Sequence, residues 1–186
     1  MPRAPANVFL SYCRDDRDAV VQLRHDLTGA GFRVWWDQDI LPGQDWGQEI
    51  RRALRRCDAF VVCLSRNLEA RERCGAYEEL LSAIRICREL NPRSASFIFP
   101  VRLSDCEVPD IEVDGTRTLD RFQCVDLFPP SKRAEGLRWL IEGISAANPR
   151  IPRPLAGRRK ISTSTQSSPN FTASWSLSLR KMRLSS

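Results

Sequence analysis

The stretch VFLSYCRDDRDAVVQLRHDLTGAGFRVWWDQDILPGQDW, residues 8–46, decides the fold of this 186-residue chain. It opens with an apolar run of strand length, residues 8–11. Asp15 and Asp16 follow as N-cap and first-turn acids for a helix whose apolar positions Val20, Leu23 and Leu27 recur at helical spacing. Gly29 and Gly31 stop that helix, and residues 32–36 read as a second strand. A Pro42-Gly43 turn comes next. Asp45, with Gln48 three residues on, has the pattern of a capping box that opens another helix. Strands alternating with helices predict parallel pairing through right-handed crossovers.

The same alternation continues outward. The helix after Asp45 places Trp46, Ile50, Ala53, Leu54 and Cys57 on one face, and AFVVCLS, residues 59–65, is the continuous apolar run of a strand buried on both sides. A third helix over residues 75–90 carries Leu80, Ile84 and Cys87, with Tyr77 and Leu81 flanking, and Asn91-Pro92 ends it. SFIFPVRL (96–103) and FQCVDLF (122–128) are the fourth and fifth strands, and the segment between them reads as irregular with only a short helix. Ser131 is expected to cap a last helix with Leu137, Leu140, Ile141 and Ile144 inward, and Asn148-Pro149 closes the domain. The expectation is an α/β, flavodoxin-like, five-stranded parallel sheet of order 2-1-3-4-5 with helices on both faces, its ligand crevice at the carboxyl ends of the strands.

Residues 1–148 therefore form one domain, and residues 149–186 a basic, Ser- and Pro-rich tail expected to be unstructured. Inside the tail, FTASWSLSL alternates apolar and polar residues at strand period, a pattern that could pair with a sheet edge. The formal charge of +6 belongs to the tail: residues 151–186 hold seven basic residues and no acid, leaving 29 − 7 = 22 Lys/Arg against 23 Asp/Glu before them. No specific nucleic-acid partner follows from a near-neutral domain. Seven cysteines without a CxxC, and a single histidine, give neither a disulfide framework nor a metal site, and point to a reducing compartment. With no signal-peptide core and no apolar run of membrane-spanning length, the expectation is a cytoplasmic protein.

The strand ends exclude several flavodoxin-like activities. A phosphoacceptor receiver needs an aspartate closing the third strand, where this chain has Ser65. A flavin or Rossmann site needs a glycine-rich first turn, and SYCRDDR has none. A Ser-His-Asp triad would have to use His25, which falls off the apolar face of its helix and reads as a solvated surface residue.

In order and spacing, VFLSYCRDDRD, GFRVWWDQDILPGQDWGQEIRRAL, CDAFVVCLS, EELLSA and FIFPVRL resemble the TIR (Toll/interleukin receptor) domain, closest to its bacterial members. TIR domains are known as assembly modules and as enzymes that cleave NAD at the nicotinamide–ribose bond in innate-immune and anti-phage signalling. The resemblance implies NAD as substrate, with no other cofactor and no metal. It implies Glu79 as the catalytic carboxylate, with Glu78 as the register-shifted fallback. Phe9, Ser11, Tyr12 and Arg14 would form one wall of the nucleotide crevice and Trp36-Asp37 the other, with Trp35 more buried. The loop DILPGQD, residues 39–45, matches the BB loop, implying that Ile40, Leu41, Pro42 and Gly43 meet other TIR domains and gate the site. Trp46 reads as packing. Two departures favour the alternative of a non-catalytic adaptor: Gly75 stands where enzymatic members often carry an aromatic, and Gln38 where an acid commonly follows the Trp-x-Asp corner.

Overall fold

The computed structural model describes residues 5–70, 84, 85, 89, 98–114 and 117–147. Within them, β1 (Asn7–Ser11) leads through a 3-10 turn (Arg14–Asp16) into α1 (Arg17–Gly29), β2 (Arg33–Trp35), α2 (Trp46–Arg56), β3 (Ala59–Leu64) and the short α3 (Arg66–Ala70). After β4 (Ile98–Arg102) come the ribbon β5 (Glu112–Asp114) and β6 (Arg117–Thr118), a 3-10 turn (Leu119–Arg121), β7 (Val125–Asp126) and α4 (Arg133–Ala147). The main sheet is parallel with order β2-β1-β3-β4-β7. Since β7 is its fifth strand, this is the expected 2-1-3-4-5 order.

The expected third helix falls largely outside the described residues, although Ile84, Arg85 and Glu89 are helical. The tail and its alternating FTASWSLSL segment also lie outside them.

Alternation along β1 and β3 divides the core into two layers. Phe9, Phe60, Val62 and Leu64 face Ile50 and Leu54 of α2, Leu68 of α3, and Ile111, Val113 and Leu119. Val8, Leu10, Val61 and Cys63 face Val20, Leu23 and Leu27 of α1 and Leu140 and Ile144 of α4. All six residues of β3 are buried, as its continuous apolar run predicts. Full burial of each Leu, Val or Phe contributes about 2 kcal/mol, so these two layers dominate stability.

Local chemistry explains most boundaries. α1 ends as a Schellman motif: Phe32 N donates to Leu27 O, Gly31 N donates to Thr28 O, and Gly31 takes φ +94. Asp45 caps α2, its Oδ1 accepting from Gln48 N at 2.8 Å.

Four expectations are corrected. Asp15 and Asp16 sit in a 3-10 turn, and Asp16 makes no side-chain cap to α1 because its carboxyl group is engaged elsewhere. The segment between β4 and β7 holds an antiparallel ribbon, because Ile111 and Val113 point inward while Glu112 points out. The fifth strand is shorter than expected, since Phe122 N closes the preceding 3-10 turn on Leu119 O. α4 starts at Arg133, two residues past Ser131, because Lys132 N and Arg133 N first turn back onto Pro129 O and Pro130 O. α4 then lies so close to β7 that a Cβ on Gly136 would overlap the Asp126 carbonyl oxygen.

Candidate functional site

In an open α/β sheet the crevice forms where the strand order reverses, here between β1 and β3 at their carboxyl ends. β1 delivers Ser11, Tyr12 and the Arg14–Asp16 turn to this place, and β3 delivers Ser65. β2 delivers Trp36 and Asp37, and residues 39–45 follow from the second 3-10 turn (Asp37–Asp39).

Three of the expected wall residues come together. The Tyr12 hydroxyl donates to Asp37 Oδ1 at 2.6 Å, and the Tyr12 ring stacks on Trp36 with centroids 6.0 Å apart. Gln38, which stands in the place of the acid that commonly follows the Trp-x-Asp corner, donates its Nε2 to Asp37 Oδ2 at 3.2 Å. Burial first, then the adjacent Asp37 carboxylate and its hydrogen bond, raise the Tyr12 phenol well above its ordinary pKa, so it remains a neutral donor.

The other side chains are placed differently. Phe9 is 2% exposed, stacked between Trp35 and Phe60 in the core layer under α2. The expected order of the two tryptophans is reversed: Trp36 is 7% exposed and Trp35 half-buried. The cause is alternation, which sends Trp35 toward Phe9 and turns Trp36 onto Tyr12 and the α1 layer. Ser11 is buried and Arg14 half-buried in its turn. Glu79, Glu78, Tyr77 and Gly75 lie outside the described residues. His25 is exposed, and Trp46 packs against the α2 layer, both as expected.

The loop begins on a braced root. Asp39 N donates to Trp36 O, while the Asp39 carboxylate accepts from Trp36 N, the Trp36 indole and Arg24. A turn follows in which Leu41 N donates to Gln44 Oε1 and Gln44 N to Leu41 O, with Gly43 at φ +87. Leu41 is 65% exposed, but Ile40, expected as a second exposed anchor, is half-buried against the core.

One constellation was missed from sequence. Asp16 is 8% exposed and spans the switch point: its Oδ2 accepts from Ser65 Oγ at 2.5 Å and its Oδ1 from Asn67 Nδ2 at 2.6 Å. Ser65 Oγ in turn accepts from Leu68 N at 3.1 Å, so the same hydroxyl holds the first turn of α3. Only the closing polar residue of β3 hinted at this. The partner lies 49 residues earlier and reads as a helix cap. Among the described residues no group of His, Cys, Asp and Glu is arranged to hold a metal ion.

A flavodoxin-like sheet with a polar switch point and an exposed turn loop beside it defines a class of small α/β domain. The profile of the TIR-domain family matches residues 8–141, and the chain belongs to that family. The TIR domain of the Toll-related receptor TRR-2 from Hydra magnipapillata is similar at 22% identity and TM-score 0.50, covering 74% of this chain and 96% of its own. A prokaryotic SEFIR domain is similar at 15% identity and TM-score 0.49, covering 82% of this chain and 99% of its own. No curated protein matches. TIR domains serve in signalling and typically interact with other TIR domains. Among the described residues no helix is long and apolar enough to cross a membrane.

Proposed function

We propose that this TIR domain cleaves NAD at its nicotinamide–ribose bond when copies of the chain associate through residues 39–45. The observation that supports the reading is the Tyr12–Trp36–Asp37 cluster at the carboxyl ends of β1 and β2, directly before that loop. In this reading Ser11, Tyr12, Arg14, Trp36 and Asp37 hold the dinucleotide, and Phe9 backs the wall from the core. The Glu79 carboxylate stabilises the positive charge that develops at the ribose C1′. The C1′–N bond breaks with its electron pair going to the nicotinamide ring, which leaves neutral, so no general acid is required. Water oxygen then attacks C1′ and loses a proton, or a hydroxyl oxygen of the same molecule attacks C1′, loses its proton and closes a cyclic product.

A second reading, a non-catalytic adaptor, is favoured by Gly75 in the place of a stacking aromatic and by the exposed Leu41. Nicotinamide release from NAD, followed across protein concentration and with a crowding agent, separates the two. On the first reading release rises faster than linearly with concentration. Glu79→Ala brings it to the blank, and Leu41→Glu lowers self-association and release together. Nicotinamide at blank level in demonstrably assembled protein removes the enzymatic reading and leaves the adaptor.

A further inference from the structure

Arg24 lies on α1, and nothing in the sequence links it to the crevice. Its guanidinium sits 5.1 Å from the Trp36 ring centroid, and its Nη2 donates to Asp39 Oδ1 at 3.1 Å. The same Asp39 oxygen accepts from the Trp36 indole, also at 3.1 Å. Trp36 is thus stacked on Tyr12 and contacted by Arg24, while its carbonyl, amide and indole all bind Asp39. Asp39 is the first residue of the loop that carries the exposed Leu41. A displacement of the loop root is therefore a displacement of Trp36, and Trp36 moves against Tyr12.

We propose that Arg24 is a positioning residue, the outer half of a latch with Trp36 and Asp39 that carries the state of the 39–45 loop to the crevice wall. The inference rests on the reading of that loop as the associating segment. The latch suits this role because its outer pair is partly exposed, with 40% of the Arg24 side chain and 32% of that of Asp39 accessible. Such pairs and exposed cation–π contacts are weak enough to be opened by a docking partner. Lysine is a poor substitute: it keeps the charge but not the planar group that covers an indole face while donating sideways.

The test uses the full chain in a Tyr77→Phe background, so that Tyr12 is the sole tyrosine. Amide hydrogen exchange is read at Ile40, Leu41 and Gln44, and tyrosinate absorbance is followed as pH rises. Arg24→Gln and Asp39→Asn should each speed exchange at these amides about tenfold, with β1 and β3 unchanged. Both should also start Tyr12 ionisation at lower pH than in the parent, and Arg24→Lys should fall between. Unchanged loop exchange in both variants overturns the latch. Faster exchange with an unmoved Tyr12 titration overturns the transmission to the crevice wall. Neither readout needs turnover, so a latch that passes both tests in a protein that releases no nicotinamide leaves this inference standing and removes the catalytic reading.

Discussion

Removing the carboxyl group of Asp16 tests the claim that the two loops flanking the switch point are held together by one buried side chain. In Asp16→Ala, Asn67 loses its acceptor but is exposed, so water replaces it at small cost. Ser65 is 2% exposed, so its hydroxyl keeps the Leu68 amide but has no acceptor for its own proton. A stranded buried donor costs about 1–3 kcal/mol, and a hydrogen bond to a charged group contributes about 1.5–3 kcal/mol. Relief of the carboxyl group's own desolvation offsets part of that loss. The expected destabilisation is about 3 kcal/mol, and with a urea m-value of about 1.5–3 kcal/mol/M the midpoint should fall by about 1–2 M. Ser65→Ala removes the bond to Asp16 and the support of Leu68 N, at about 2 kcal/mol. The double variant should cost about 1 kcal/mol less than the sum, because the two residues share one bond. Equilibrium urea unfolding, followed by far-UV circular dichroism at constant m, gives all three values. Asp16→Ala below about 1 kcal/mol, or additivity within about 0.3 kcal/mol, would refute the bridge.

Three further substitutions follow from the packing and the titration. Burial and the Asp37 carboxylate raise the Tyr12 phenol above its ordinary pKa of about 10 in the folded chain, so its stabilisation is complete below that pH and is lost as pH climbs past about 10 toward the folded value. Parent stability should therefore fall by up to about 1.4 kcal/mol per pH unit more steeply than that of Tyr12→Phe in urea unfolding above pH 10, and parallel curves would contradict this. Gly136→Ala must push α4 off the Asp126 carbonyl and should cost about 2 kcal/mol or more. Gly143→Ala meets only the Phe99 ring, Cε1 at 3.4 Å and Cδ1 at 3.8 Å, and should gain up to about 1 kcal/mol from helix propensity. Thermal midpoints of the two variants should move in opposite directions.

Period and punctuation made the sheet legible. The six buried residues of β3, the Gly31 stop of α1 and the Asp45 cap of α2 are local signals that the structure repeats. The ribbon between β4 and β7 was not legible: its two short strands, with Ile111 and Val113 inward around Glu112, hid behind a Pro- and Asp-rich composition. The candidate site was harder because its side chains are decided by what meets them across the fold. Trp35 and Trp36 have equal apolar weight in sequence, and the difference in burial comes from what each face presents across the fold: Phe9 beside Trp35, and Tyr12, Arg24 and Asp39 around Trp36.

Asp16 shows the same limit from the polar side. An acid just before a helix is read by default as its cap, since capping is a local rule and the rival partner is 49 residues away. A surface cap would leave that carboxyl group in water, whereas here it is 8% exposed and accepts from Ser65 at the end of β3 and Asn67 in the first turn of α3. Burial of a polar group is tolerated only when its partners are fixed, so the loops that carry Asp16 and Ser65 cannot drift apart without stranding one of them. The crevice is thus rigid at its floor, between β1 and β3. It is adjustable at its rim, where Arg24, Trp36 and Asp39 join the wall to an exposed loop through partly solvated contacts. On the proposed reading, a partner docking on the rim would move Trp36 while the floor kept its alignment.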